Sequence, residues 1–331
     1  MSSIQTSAPG KVIVAGEYAV LDGAPAICMA VDRRAYVTVT ECDAECHSVL
    51  APGYSQTSGR FNAHHHGLEW LDGASGFPLL TAVWQELAAK PRRQLSIVLD
   101  TNEFSDARAG IKLGIGSSAA LTVALVAALD MALGGGRSVD RIAAAAHRRL
   151  QNGAGSGADI ACSLRGGVIV YRMGDTTQTA LRWPADLHYA LLWSGVSANT
   201  TAQLGKLAAV AADVSRTELG TAASAVAAAW SGGQVTAIIS ALRRYAAALR
   251  RFDDEHGLGI YDAGHAGLAT VAESCGVLYK PCGAGGGDLG IAVADEITAI
   301  DAFVALVRDH GFRQMPMAIE ASGLRCEGAA P

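Results

Sequence analysis

The sequence predicts an α+β protein built as two domains, and three observations carry that expectation. The chain has 331 residues, 50% hydrophobic and 17% charged, a globular composition at a length that outgrows one small core. Short β-type runs and longer helical runs alternate along it, with no repeat of fixed period and no low-complexity tail. A polar break at residues 174–186, holding Gly174, Asp175, Thr176, Thr177 and Pro184, separates two halves. The expected domains are therefore residues 1–183 and 184–331.

In the first half, Pro9-Gly10 signals a turn. Val12 to Ala15 reads as a short strand ended by Gly16, and Pro25 to Val31 and Ala35 to Thr40 as two further strands of a mainly antiparallel sheet. Residues 41–76 read as irregular and polar. The run His64-His65-His66 within them reads as a solvated loop, because adjacent histidines on an extended segment point in different directions. The spacing of Leu79, Leu80, Val83, Trp84 and Leu87 predicts a helix over Pro78 to Lys90, and Leu95 to Leu99 is a strand.

Next comes Gly114-Ile115-Gly116-Ser117-Ser118-Ala119-Ala120, a tight loop feeding an apolar run that reaches Leu133 with only Thr122 and Asp130 as breaks. A helix apolar on all sides is buried. Ser117 or Ser118 is its expected cap, and the glycines at 134, 135 and 136 its stop. Asp140 to Leu150 is an Ala-rich helix with Ser138 as cap. A second glycine-rich stretch, Gly153-Ala154-Gly155-Ser156-Gly157-Ala158-Asp159, leads to a helical run Ile160 to Leu164. Gly166-Gly167 ends that run, and Val168 to Tyr171 is a strand.

The second half opens with the strand His188 to Trp193 and a polar loop from Ser194 to Thr201. Residues 201–252 read largely as Ala-rich helix, with Arg243, Arg244, Arg250 and Arg251 on a solvated face. Leu258 to Gly276 is a further helix. A third glycine loop, Lys280-Pro281-Cys282-Gly283-Ala284-Gly285-Gly286-Gly287-Asp288, leads into the strand Leu289 to Val293. A helix over Ile297 to His310 and a strand-like Met315 to Ile319 complete the pattern.

Several function classes are excluded at this level. A net charge of −5 argues against general nucleic-acid binding. No apolar run is long and uninterrupted enough to span a membrane, and Met1 to Ser7 carries no basic or apolar leader, so a cytoplasmic protein is expected. The seven cysteines are scattered, and only Cys42 and Cys46 are close. Reduced thiols fit that pattern better than a metal site or disulfides.

The chemistry lies in the glycine loops. Glycine lets backbone N–H groups approach a polyphosphate closely, and a helix N-terminus favours an anion. Two of the three loops end in an acid, and Ser118 with an acid suits a divalent cation. None is a Walker A loop, which needs Gly-Lys-Ser/Thr after its last glycine. Gly114-x-Gly116-x-x-Ala119 is spelled like a dinucleotide fingerprint, but it does not directly follow a first parallel strand.

Three ordered segments carry a family resemblance: Ala8-Pro9-Gly10-Lys11-Val12 through Gly16-Glu17-Tyr18, then Gly114 to Ala119, then Gly283-Ala284-Gly285-Gly286-Gly287-Asp288. In these the chain resembles the GHMP kinase superfamily. The resemblance implies an N-terminal domain like domain 2 of ribosomal protein S5, a ferredoxin-like C-terminal domain, and a nucleotide between them. Within the superfamily it is greatest to the phosphomevalonate kinases: Tyr18 after Gly16-Glu17, Lys112 before the second segment, Ala146-His147 through Gln151 to Asp159, and Ser197-Ala198-Asn199-Thr200 followed by Gly205-Lys206. One departure is that Ala109-Gly110-Ile111-Lys112 stands where mevalonate kinases have a proline-led version of the second segment.

The resemblance also implies site roles. ATP would lie on Lys112, Gly114, Ile115, Gly116, Ser117, Ser118 and Ala119, with Mg²⁺ on Ser117 or Ser118. Lys11 and Asp159 would stand at the transferring phosphate. Glu17, Tyr18, Gln151, Ser156, Gly157, Ser197, Thr200, Lys206, Gly285 and Gly286 would hold the acceptor, a phosphorylated mevalonate of isoprenoid precursor synthesis. Three alternatives stand beside this: a mevalonate kinase, a decarboxylase relative whose first segment resembles Ala-Pro-x-Asn-Ile, and a family member that binds ligand without catalysis. The resemblance also allows a homodimer.

Overall fold

In a computed structural model the chain builds two sheets that share one large apolar core. The structure describes residues 3–52, 58–73, 76–106, 110–153, 155–175, 178–198, 203, 205–207 and 213–327. The larger sheet contains β1 (Ser3–Ala15), β2 (Ala26–Cys42), β3 (His47–Leu50), β4 (Ser58–His64), β5 (Gly67–Asp72), β6 (Gln94–Asp100), β7 (Val168–Tyr171), β8 (Thr179–Leu181) and β13 (Arg325–Glu327). Its order is β13-β1-β2-β6-β3-β4-β5, with β7 also on β2 and β8 on β7. All pairings are antiparallel except β3 with β6.

Two expected strands thus merge into the 17-residue β2, and the expected turn at Pro9-Gly10 lies inside β1, opposite a bulge in β2. Pro9 pairs with Arg34 and Gly10 with Val31, so Asp32 and Arg33 are squeezed out of register. A proline lacks the N–H a ladder needs, and a bulge is where a strand tolerates one. The described part of residues 41–76 is not irregular, since it holds β3, β4 and β5. Buried Gly59, Phe61 and Ala63 alternate with solvent-facing residues along β4, a period-2 pattern hidden by having only one large apolar side chain. His64, His65 and His66 sit exposed at the β4–β5 hairpin tip.

On this sheet lie α1 (Pro78–Leu87), α2 (Ser117–Ala132), α3 (Val139–Leu150) and α4 (Ala158–Arg165). Helix α2 packs on β1 and β2 and is buried from Ala119 to Asp130, as its all-round apolar sequence requires. Its one buried acid, Asp130, pairs with Arg137 at 2.9 Å.

The smaller sheet has the order β10-β11-β9-β12, from β9 (His188–Trp193), β10 (Leu278–Pro281), β11 (Leu289–Ala294) and β12 (Arg313–Met315). Ala190, Leu192, Ala292 and Ala294 face α7 (His265–Ser274) and α8 (Ile297–Leu306) in a small second core. Leu191, Trp193, Ile291 and Val293 face the main core instead, together with Leu219 of α5 (Val214–Gly232) and Leu242 of α6 (Val235–His256). Burial on both faces explains why β11 reads as an unbroken apolar run.

Helix α7 starts later than its sequence suggests. Residues 258–264 form turns instead, with the Ile260 and Tyr261 N–H groups donating to the Asp253 carboxylate at 2.8 and 2.9 Å. Strand β10 absorbs Lys280 and Pro281, which read as loop. The last strand, β13, returns to pair with β1, so the chain's end closes on the larger sheet. Buried Arg34 holds that return by donating to the carbonyls of Ser322 and Gly323. Among the described residues no helix is long and apolar enough to cross a membrane.

One polar contact joins the two sheets through the core. Glu17, just past β1, is 2% exposed, and Lys280 on β10 is 0% exposed. Lys280 Nζ lies 2.5 Å from Glu17 Oε1, and the Tyr245 hydroxyl on α6 donates to Glu17 Oε2 at 2.8 Å. Removing one partner of such a pair leaves a buried charge uncompensated. Lys280→Met is therefore expected to lower unfolding stability in urea by about 3–5 kcal/mol. The double variant Glu17→Leu/Lys280→Met should recover much of that loss, and a double variant no more stable than the single one would contradict the pairing.

Two buried histidines add a pH dependence. His47 Nδ1 accepts the Leu95 N–H at 2.9 Å, and His265 lies 2.7 Å from the Tyr279 hydroxyl and 3.0 Å from the Gly287 carbonyl. Burial pushes both down to about 4. The unfolded chain, near 6.5, then binds more protons than the folded one between pH 6.5 and 4, so stability falls as pH drops through that window. The loss at pH 5 should reach up to about 2 kcal/mol per histidine. It should shrink in His47→Gln, as read from melting temperatures at pH 7 and pH 5.

Candidate active site

The three glycine loops meet in a cleft between the two sheets. Helix α2 begins with Gly116 in the N-cap position (φ 80°, ψ 41°), and α4 with Gly157 (φ 84°, ψ 0°). Neither helix has a side-chain cap from its N-cap residue. This corrects the expected cap by Ser117 or Ser118: a left-handed glycine takes the cap position, and the serines fall in the first turn. Ser138 does occupy the N-cap of α3, but its hydroxyl goes to Asp140 instead of a backbone N–H. An uncapped N-terminus presents donors and a positive dipole end to an anion.

Gly114 and Gly116 are needed where they stand. A Cβ on Gly114 would lie 2.1 Å from the Asp288 carboxyl carbon, and one on Gly116 would lie 3.0 Å from Lys11 Cε. The Lys11 backbone N–H donates to the Ile115 carbonyl at 2.8 Å, tying β1 to the same loop.

Two chambers open in this cleft, of about 140 and 560 Å³. The smaller is lined by Glu17, Tyr18, Gln151 and Ser156, among others, and the larger by Lys112, Gly114 to Ser118 and Ser197. Five residues line both: Lys11, Gly114, Gln151, Asp159 and Asp288. The junction of the chambers therefore carries one cation and two carboxyls.

The structure distributes the remaining candidates as follows. Ala119 is fully buried in the first turn of α2 and lines neither chamber. Gly157 forms the α4 cap beneath the Tyr171 hydroxyl, 3.1 Å from where its Cβ would stand. Lys206 lines neither chamber, although Gly205 beside it lines the larger; its Nζ donates to the Leu258 carbonyl at 2.9 Å. Gly285 and Gly286 pack against Ile260 and Gln203, so their smallness shapes the third loop. Thr200 lies outside the described residues. Both Glu17 oxygens are engaged, by Lys280 and Tyr245, so Glu17 holds the chamber wall in place. Tyr18 takes a left-handed backbone (φ 61°), and its hydroxyl donates to the Ala284 carbonyl of the third loop. A strained tyrosine held this way indicates a wall that the surrounding structure over-determines.

Two residues at the site were not selected as candidates. Asp288 ends the third loop, and its Oδ1 accepts the Ala198 N–H at 3.0 Å. Burial pushes its carboxyl above the ordinary range, opposed by that N–H and by Lys11. The signal was its place as the acid closing a glycine loop. His147, on α3, stands 3.1 Å from Ser118 Oγ and 3.8 Å from Asp159 Oδ2. The signal was its place in the segment Ala146-His147 through Gln151 to Asp159 that carries the resemblance.

Cys28 and Cys282 also surround Lys11, but burial pushes both thiols up to about 12, which leaves them protonated and poor nucleophiles. The donor set facing the larger chamber is hard oxygen: the Ser117 and Ser118 hydroxyls with the Asp159 and Asp288 carboxyls. That set fits Mg²⁺, and the glycine cradle beside it fits phosphates.

Comparison with known proteins follows the same lines. The GHMP kinases N-terminal domain model matches residues 80–167. The chain is 34% identical to a phosphomevalonate kinase of Streptomyces sp. strain CL190 over 342 aligned positions, covering 88% of this chain and 90% of that protein. A mevalonate kinase of Pyrococcus furiosus is 32% identical over 185 positions, covering 51% of each. Among solved structures, the Streptococcus pneumoniae phosphomevalonate kinase in complex with phosphomevalonate and AMPPNP superposes with a TM-score of 0.78 at 18% identity, covering 96% of this chain and 100% of that one. The Lin0012 protein of Listeria innocua gives 0.85 at 23% identity, over 98% and 99%. These structural likenesses establish the shared fold.

The glycine cradle yields a prediction. Gly114→Ala forces a left-handed alanine, costing about 1–2 kcal/mol, and drives the Asp288 carboxyl away. ADP affinity by calorimetry should fall more than about tenfold, which is some 1.4 kcal/mol of binding free energy. Wild-type affinity in a folded Gly114→Ala protein would remove the cradle from the site.

Proposed function

The chain belongs to the GHMP kinase superfamily, and on that footing we propose that it transfers the γ-phosphoryl group of ATP to 5-phosphomevalonate, giving 5-diphosphomevalonate and ADP. The observation that carries this reading is the pair of chambers sharing Lys11 and Asp159. The larger suits the nucleotide, because the Gly114–Ser118 loop and the α2 N-terminus form its wall. The smaller suits a compact anionic acceptor, because Lys11 and the α4 N-terminus face it.

An acceptor phosphate needs little acid–base help. Its second pKa is about 6, so the attacking oxygen is already anionic near neutrality. Two polyanions must instead be brought together in line, and the loose transition state must have its charge neutralised. Lys11 neutralises the oxygens at the junction. Asp159, at the start of α4, keeps Lys11 and the acceptor oriented. The Gly114–Ser118 backbone cradles the triphosphate, and Lys112 adds charge at the chamber rim. Ser117 and Ser118, with Asp159 and Asp288 nearby, would hold Mg²⁺, which neutralises β- and γ-phosphate charge when bound. Tyr18 and Gln151 would position the acceptor's carbon chain. All seven cysteines are free, which supports a reducing compartment such as the cytoplasm.

The second reading is transfer to the mevalonate hydroxyl, favoured by the likeness of about half of the chain to mevalonate kinases. A coupled ADP-release assay with each acceptor decides. Turnover should require 5-phosphomevalonate, with mevalonate slower by a factor on the order of 10⁴, the discrimination of a site built for a polar group its analogue lacks. Equal or faster turnover of mevalonate would overturn the assignment. ADP binding with no turnover of either acceptor would favour a silent ligand-binding member.

Asp159→Asn gives a mechanistic check. Without a proton to remove, its kcat on 5-phosphomevalonate should fall by less than the roughly 10²–10⁴-fold that loss of a general base costs. Lys11→Ala should lose more. Complete loss of turnover in Asp159→Asn with an unchanged melting temperature would contradict this chemistry.

A further inference from the structure

His147 is 1% exposed and lines neither chamber, yet it stands between two residues that do. Its Nε2 lies 3.1 Å from Ser118 Oγ on α2, and its Nδ1 lies 3.8 Å from Asp159 Oδ2 on α4. One imidazole on α3 thus faces a chamber residue on each of two other helices. The Asp159 carboxylate on the Nδ1 side favours a ring proton there by charge, although at 3.8 Å the two form no hydrogen bond. Nε2 is then an acceptor, and Ser118 must give it the single hydroxyl proton. The lone pairs of Ser118 Oγ are left for the larger chamber. The reverse orientation would aim that proton at the place of a cation.

Resting on the kinase reading above, we propose that His147 is a positioning residue that presets Ser118 as an acceptor-only ligand for the nucleotide's divalent cation. It transfers no atom and touches no substrate. Its effect passes through Ser118, in the way groups behind metal ligands commonly tune affinity by roughly 10–100-fold.

Three variants separate this role from plain core packing. His147→Leu fills the space with no polar atom. His147→Asn keeps an amide near the Nδ1 position, facing Asp159. His147→Gln carries a carbonyl toward the Nε2 position, where it accepts from Ser118. The readouts are Mn²⁺ affinity of the ADP complex by electron paramagnetic resonance, ADP affinity without metal by calorimetry, and melting temperature. His147→Leu and His147→Asn should weaken Mn²⁺ in the ADP complex by roughly 10–100-fold and leave metal-free ADP affinity unchanged. His147→Gln should bring Mn²⁺ affinity back toward wild type.

The proposal fails if His147→Leu keeps wild-type Mn²⁺ affinity, or if His147→Gln is as impaired as His147→Leu. It also fails if metal-free ADP affinity drops in step with Mn²⁺ affinity, which marks general damage to the cleft. None of these readouts uses an acceptor, so an error in the acceptor assignment shows separately, in the ADP-release assay.

Discussion

The buried contact of Glu17 with Lys280 and Tyr245 is the constraint on which the rest of the site depends. Two opposite charges sit buried in the core, and each is tolerable only because the other is there. Glu17 lies six residues beyond Lys11, just past the end of β1, and Lys280 precedes the third glycine loop on β10. Fixing this pair therefore fixes the offset between Lys11 and the loop that delivers Asp288. The Tyr18 contact with Ala284 repeats the constraint one residue on. The cleft between the two sheets is held from beneath by charge and from its wall by a strained tyrosine.

With the offset set, local rules are broken where chemistry would benefit. Two helices start on left-handed glycines, so their dipole ends face the cleft; α2 has no side-chain cap, whereas the Ala158 and Ile160 N–H groups of α4 donate to Ser156 Oγ and Asp159 Oδ1. A carboxyl, Asp288, is pressed against a glycine in a poorly solvated place. A histidine is buried between two cleft residues on different helices. Each feature costs stability if the cleft stays empty, and each becomes reasonable if the cleft holds phosphates, a cation and an acceptor. Departures from local consistency are expected where a protein does its chemistry.

Legibility in the sequence followed the range of the forces involved. His188–Trp193 and Val168–Tyr171 were read at their observed bounds, because short apolar runs between glycines or polar breaks leave few alternatives. The buried α2 and the three glycine loops were equally plain. The bulge opposite Pro9-Gly10 was not, because a Pro-Gly pair reads locally as a turn, and only pairing with Arg34 and Val31 makes it part of a strand. The β4–β5 hairpin, three-residue β12 and β13, and strand β10 owe their pairing to distant partners. Of the site, the loops, Lys11 and Asp159 were legible through motif spelling. Asp288 and His147 were not singled out, because what makes them part of the site is contact with Gly114, Ser118 and Asp159 across long chain separations.

The claim at the centre of this account is that two substrates meet at the junction of the chambers. A crystal structure of the chain with a non-hydrolysable ATP analogue and 5-phosphomevalonate tests it most directly. The account predicts the triphosphate on the Gly114–Ser118 loop, the acceptor in the smaller chamber, and an acceptor-phosphate oxygen about 3–3.5 Å from the γ-phosphorus, in line, beside Lys11 and Asp159. An acceptor phosphate bound away from that junction, or a nucleotide seated off the Gly114–Ser118 loop, would contradict it.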